Sequence, residues 1–111
     1  MIVQTKFIPK NFAAFSCWPF IFVLPSHASN AGLIEHETVH YNEQSWVTPI
    51  WLLRYFLSKS FRLAAEVRAY KRQIAVGGIS IPAATMLLLK YDLGITHQEA
   101  CLLVSEPSKG A

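Results

Sequence analysis

The sequence predicts an α+β domain that is mainly helical, with short N-terminal β-strands packed on two helices and two further helices at the C-terminus. Apolar runs rich in aromatic and β-branched residues precede residue 25, as is typical of strands. Apolar residues then recur at helical spacing from residue 50 to 74. Glycines at 77, 78 and 94 mark helix ends.

Residues 1–28 are predicted to form strands and a loop. Residues 1–8 form a short strand, residues 9–11 form a turn around a proline, and residues 12–16 have an ambiguous pattern. The run Phe20–Leu24 is a second strand, and the flanking Pro19 and Pro25 suit an edge strand. An edge strand can pair with an extended peptide, although it can equally serve only to cover the core.

Residues 29–76 are predicted to hold two long helical segments. The first begins after Ser29 or Asn30, either of which is a suitable N-cap, and runs to about Trp46. Pro49 occupies a favourable first helical position for the next segment. Residues 50–74 form either one long helix or two helices with a break near residues 58–60.

Residues 79–105 are predicted to form the C-terminal helices. One covers residues 82–93 and ends at Gly94. Thr96 and Glu99 have capping-box spacing, so they open a last helix that continues through Val104. The tail, residues 107–111, is expected to fray.

The chain is short, apolar and mildly basic. Its 111 residues fit a single domain spanning 1–111. Charged residues make up 15%, below the usual 25% or so, and hydrophobic residues make up 52%. Such a chain can bury a core and leave apolar surface for a partner. The net charge of +3 does not by itself indicate nucleic-acid binding. No apolar run approaches the roughly 18 residues that span a bilayer.

The segment His36-Glu37-Thr38-Val39-His40 matches the pattern H-E-x-x-H. Positions four apart on a helix lie about 40° apart, so His36 and His40 present two imidazoles on one face. This spacing suits two corners of a tetrahedral zinc site, with Glu37 beside them as a general base. The alternative is a buried helix whose histidines bond to carbonyls or water.

Glu66 is the best candidate for a third ligand. It lies on the apolar stripe of the second long helical segment, where an unpaired carboxylate is rare. An ion pair with Arg62 or Arg68 would also explain it. Glu43, on the same helical face as the histidines, is the rival ligand, but its position one turn further along favours an outer role.

These motifs together resemble the minimal gluzincin-type zinc metallopeptidases, of the small kind encoded by bacteriophages and bacteria. The resemblance covers about residues 18–75 and depends on the H-E-x-x-H helix and on the downstream E-x-x-A-Y segment, Glu66 to Tyr70. It implies that His36, His40 and Glu66 bind zinc and that Glu37 is the catalytic base. It also implies that Tyr70 supports the site or stabilises an oxyanion, for which His97 is a further candidate.

The expected function is therefore zinc-dependent peptide hydrolysis on a peptide or protein substrate. The alternative is a non-catalytic phage virion or assembly protein in which the zinc site is structural and protein subunits are the partners. The aromatic side chains expected either at such an interface or in the core are Trp46, Trp51, Tyr55 and Phe56.

Other interpretations of the sequence have less support. The basic residues between Arg54 and Arg72 are typical of a solvated helix face, which the pattern favours over nucleic-acid binding. Cys17 and Cys101 lack metal-ligand spacing and suit small buried thiols. A secretory leader would need an apolar core that Trp18-Pro19 interrupts, so a cytoplasmic or virion-associated location is favoured.

Overall fold

A computed structural model describes residues 1–8, 12–91 and 93–106. It is mainly helical with a small N-terminal sheet, which confirms the predicted α+β class. The turn predicted at 9–11 and the frayed tail predicted at 107–111 lie outside the described residues. None of the helices in the described part of the chain is long and apolar enough to cross a membrane.

Three short strands form one sheet in the order β1-β3-β2, where β1 is Ile2–Gln4, β2 is Ala14–Cys17 and β3 is Phe20–Val23. β3 pairs in parallel with β1 and antiparallel with β2. The prediction that residues 20–24 form an edge strand was therefore wrong, because β3 is central. Pro19 and Pro25 lie outside the hydrogen-bonded residues of β3, so neither removes a donor from the ladder.

The first helix, α1, covers Ala31–Gln44 and confirms the predicted helix and cap. The Asn30 side chain accepts a hydrogen bond from the Leu33 amide at 3.0 Å. The helix ends before Trp46 because Ser45 adopts a positive φ of 41° and starts a 3-10 turn over Ser45–Val47.

The next segment divides into α2, Thr48–Leu57, and α3, Lys59–Ala75. The break falls at Ser58, within the predicted interval, and the Ser58 hydroxyl caps α3 by accepting from the Phe61 amide at 3.2 Å. Gly77 has a φ of 74° and ends the segment as predicted, since that conformation favours glycine.

The C-terminal helices are α4, Ile81–Leu89, and α5, His97–Ser105. The capping box at Thr96 and Glu99 is confirmed. The prediction that the preceding helix reaches residue 93 was wrong, because the chain tightens at Lys90 and Tyr91. Their amides bond to the carbonyls three residues back, at 3.1 and 3.2 Å, as in a 3-10 turn.

The main apolar core lies between α3, α4 and α5. The buried members of this cluster are Val67, Tyr70, Ala84, Leu88, Leu93, Ala100 and Val104. On its other side α3 packs on α1, and Gly32 of α1 closely approaches Gly78 in the turn that follows α3. A Cβ on Gly32 would lie 2.5 Å from the Gly78 Cα, so only glycine allows this approach. The sheet packs on α1, so α1 lies between the sheet and α3.

Candidate metal centre

The predicted ligands His36, His40 and Glu66 meet at the buried interface of α1 and α3. The Nε2 atom of His36 lies 3.1 Å from Glu66 Oε1, and the Nε2 atom of His40 lies 3.0 Å from Glu66 Oε2. One ligand atom from each residue falls within 4.8 Å of the other two. This buried group can hold a metal ion.

The hydrogen bonding of His36 leaves one ring nitrogen for a cation. Its Nδ1 atom lies 3.0 Å from Oε1 of the buried Gln73, an acceptor to which the Nδ1 proton is donated. In the neutral ring the Nε2 lone pair then faces a Glu66 oxygen, which is also an acceptor. Two acceptors at 3.1 Å require a positive charge, either a proton or a metal ion.

His40 also requires a proton or a metal ion. Neither of its ring nitrogens has a hydrogen-bond partner of acceptable geometry among the described residues, although the side chain is buried. Burial opposes its charging, yet the nearby Glu66 carboxylate raises the pKa of His40 to about 10. Without metal the ring therefore carries a proton at neutral pH, and a metal ion would replace that proton. An orphaned imidazole of this kind fits a metal ligand.

Glu66 is held by neutral and cationic partners within the site. The Tyr55 hydroxyl donates to its Oε2 atom at 2.7 Å. Burial alone would raise the pKa of Glu66, but His40 and His36 hold it well below its usual range. The two arginines considered as ion-pair partners bond elsewhere: Arg62 donates to backbone carbonyls of α2, and Arg68 bonds to Glu43.

Glu43 occupies the outer position expected of it. Its Oε1 atom lies 3.9 Å from His40 Nδ1, and its Oε2 atom pairs with the Arg68 guanidinium. Burial opposes its charging, but the nearby His40 ring and the Arg68 guanidinium lower the pKa of Glu43, so the carboxylate is charged at neutral pH. It can orient His40 from the side away from Glu66.

Glu37, the predicted base, is buried beside the histidines and lines two clefts. Its Oε2 atom lies 3.9 Å from His36 Nε2. The Ser16 hydroxyl of β2 lies 3.0 Å from Oε1 and 2.7 Å from the Glu37 carbonyl, so one proton serves either acceptor. This contact fixes the sheet to α1 at the point where the carboxylate faces the clefts.

The larger cleft has a volume of about 600 Å³ and the smaller about 290 Å³. Both are lined by Phe12, Ala14, Glu37 and Tyr91, so Glu37 borders both clefts. The larger cleft also reaches His36 and the smaller reaches His40. Each imidazole therefore borders a different cleft.

Tyr70, which was predicted to support the site or to stabilise an oxyanion, lies beside His36. Its ring packs edge-on against His36, with centroids 4.4 Å apart, and its hydroxyl lies 3.5 Å from that of Tyr91. Burial raises the pKa of Tyr70, which keeps the hydroxyl protonated. His97 is exposed at the first residue of α5 and lines neither of the two clefts.

Sequence reasoning missed Gln73 and Tyr91 and gave Tyr55 only an interface or core role. Gln73 lies seven residues after Glu66, or two helical turns, so its place on the same face of α3 was open to prediction. Tyr55 and Tyr91 come from other elements, and no local spacing connects them to the motif.

Comparison with protein-family models, with curated proteins and with solved structures finds no match for this chain. The resemblance to metallopeptidases therefore stays a prediction from the sequence.

Proposed function

We propose that this chain is a zinc-dependent peptide hydrolase. The observation that carries the proposal is the buried His36, His40 and Glu66 group with the Glu37 carboxylate beside it, facing two clefts. Two imidazoles and one carboxylate are a donor set of catalytic zinc sites that leave a position open. Zinc bound there supplies a Lewis acid that polarises a carbonyl and lowers the pKa of water.

Glu37 moves the proton in this proposal. It accepts the proton that a water molecule loses as its oxygen bonds to the peptide carbon. It then donates that proton to the amine nitrogen as the C–N bond breaks. Ser16, bonded to the carboxylate or to the carbonyl of the same residue, holds Glu37 in position.

A tyrosine hydroxyl stabilises the negative charge that develops on the carbonyl oxygen. Tyr70 and Tyr91 both line the larger cleft, and burial raises the pKa of each. Both therefore stay protonated and able to donate at neutral pH. Comparing Tyr70→Phe with Tyr91→Phe separates the donor from the residue that only packs against His36.

The substrate is an extended peptide that pairs with β2. Pairing with a peptide was first considered for residues 20–24. Because β3 is central in the sheet, we assign this pairing to the edge strand β2. The Leu24 amide bonds to the Ala13 carbonyl at 2.9 Å, so alternation turns the polar backbone groups of Ala14 away from β3, and Ala14 lines both clefts. Further along this edge, just after β2, the Gln44 side chain accepts a hydrogen bond from the Trp18 amide at 2.7 Å. Gln44 therefore limits how many residues of a peptide can pair with the edge.

The test combines metal content with turnover. We expect about one zinc per chain by elemental mass spectrometry and cleavage of a quenched fluorescent peptide library. Glu37→Gln should keep zinc and lose turnover by about 100-fold or more. Glu35→Gln is the matched control, because Glu35 lies half-buried on the same helix and pairs only with Arg72 among the described residues. Turnover that is unchanged in Glu37→Gln would refute the mechanism.

A second candidate is a non-catalytic virion or assembly protein in which the zinc is structural. It is favoured by one observation: a cation at this site would join α1 to α3 across a buried polar interface. Zinc retention without cleavage of any peptide, together with unfolding on chelation, would favour this candidate. Its partners would be protein subunits, and its location cytoplasmic or virion-associated.

A further inference from the structure

The outer face of α2 exposes a continuous ridge of large apolar side chains. At 100° per residue, Ile50, Leu53 and Leu57 fall within about 60° of one another on the helix. They are 62%, 60% and 77% exposed, and Trp46, just before the helix, is 86% exposed. Trp51 lies on the opposite face and is buried, so the two faces are clearly divided. Of the aromatic residues expected at an interface or in the core, Trp46 thus lies outside and Trp51 inside.

The charged side chains within α2 and at its end are basic. The sequence contains no acidic residue between Glu43 and Glu66. Arg54 and Lys59 are exposed at the ridge and just after its end. The Arg54 guanidinium lies 4.5 Å from the centre of the Phe61 ring, which holds the charge at the flank of α2. The surface therefore combines apolar area with positive charge.

This combination decides between possible occupants. A second copy placed on the same ridge would bring Arg54 and Lys59 near their own equivalents, with no acid on the ridge to offset them. A partner helix is usually received in a groove, whereas the exposed positions of α2 form a ridge. An anionic bilayer accepts apolar side chains below its headgroups and attracts basic side chains at the phosphates.

We propose that α2 docks this domain on the surface of an anionic membrane. The helix lies in the plane of the interface with Ile50, Leu53 and Leu57 turned toward the acyl chains. Trp46 sits at the headgroup level, where tryptophan is enriched, and Arg54 and Lys59 contact the phosphates. This docking is peripheral and requires neither metal nor hydrolysis.

The same helix connects this surface to the metal centre. Phe56 is 70% exposed and also lines the smaller cleft, as do Trp51 and Leu52 from the same helix. A docked α2 therefore brings the mouth of that cleft close to the membrane surface. Peptide segments at the membrane surface would be the nearest material to the site.

The full-length protein can be tested by co-sedimentation with vesicles. We expect binding to vesicles of equal parts phosphatidylglycerol and phosphatidylcholine, and much weaker binding to phosphatidylcholine alone. The double variant Leu53→Ser/Leu57→Ser should lose affinity by tenfold or more, since two inserted side chains are removed. Arg54→Gln and Lys59→Gln should each lose about fivefold, and less at high salt.

The matched control is Leu102→Ser, which removes an equally exposed leucine from α5, where Leu102 is 58% exposed. Its binding should not change, and circular dichroism checks that each variant stays folded. Absence of binding to the anionic vesicles, or equal binding of the double variant, overturns the proposal. A dimer in gel filtration that depends on Leu53 and Leu57 and shows no vesicle affinity also overturns it, in favour of a second copy.

Discussion

The two sides of α3 bury opposite kinds of side chain. Toward α4 and α5 the interface is apolar, with Leu88 and Ala100 fully buried beside Val67. Toward α1 the buried side chains are polar or charged. They are His36, Glu37, His40, Glu66 and Gln73. The difference teaches that one side is stabilised by removing apolar surface from water, whereas the other needs a cation to balance its acceptors.

The apolar side can therefore be damaged without harming the site. Leu88→Ala should lower the free energy of unfolding by about 2–5 kcal/mol, through lost burial and the cavity left behind. Its zinc affinity, measured by competition with a chelating dye, should change little. Leu102→Ala, at an exposed position, should cost less than about 0.5 kcal/mol. A large loss of affinity in Leu88→Ala would mean that the two sides are not independent.

Substitutions on the polar side of α3, which faces α1, should instead affect zinc affinity. Glu66→Gln removes the negative charge shared by both imidazoles, so zinc affinity should fall by more than about 100-fold. Loss of that charge also removes the largest of the effects that raise the pKa of His40, so this pKa should fall from about 10 toward its ordinary value. Titration of the imidazole protons by NMR in metal-free protein measures this. An unchanged affinity would show that another residue is the third ligand.

The partners outside the ligand group should have smaller effects. Tyr55→Phe removes the 2.7 Å donor to Glu66, and Gln73→Leu removes the acceptor that fixes the His36 ring. Each should reduce zinc affinity by about 10-fold, at the lower end of the range for such partners. Tyr41→Phe, on α1 outside the site, serves as the control. Affinities equal to wild type in both variants would confine the site to its three ligands.

The pH dependence of stability should differ between metal-free and metal-loaded protein. The raised pKa of His40 stabilises the metal-free fold fully below pH 6.5, and this contribution is lost as the pH rises through about 10. The lowered pKa of Glu66 contributes above pH 4.5 and is lost as the pH falls further. Metal-free protein should thus weaken above pH 6.5, whereas zinc, in place of the proton, should hold stability up to alkaline pH. Parallel denaturation profiles for the two forms would contradict this.

Features that depend on a few residues close together in the sequence could be predicted from it. The Asn30 cap, the Thr96 and Glu99 capping box and the four-residue spacing of His36 and His40 all follow from helix geometry. Glu66 could be identified because a lone acid on an apolar stripe requires a partner.

Features that depend on contacts between distant parts of the chain could not be predicted from the sequence. The central position of β3 depends on β1 pairing along its second edge, and no residue of β3 itself encodes that. Tyr55 meets Glu66 only because α2 folds back on α3 after Ser58. The early end of α4 reflects i to i−3 bonding at Lys90 and Tyr91, for which propensity gives no signal.

The close approach of Gly32 and Gly78 also has a consequence for protein engineering. Gly32 lies one helical turn before His36, and Gly78 lies five residues after Gln73, so the contact adjoins the bond between those side chains. A methyl group on either glycine would force the backbones apart by about 1 Å, since ordinary contact begins at 3.4 Å. A library that redesigns the site should therefore keep both glycines and randomise the residues that line the clefts. The two backbones can lie this close only because neither glycine has a side chain.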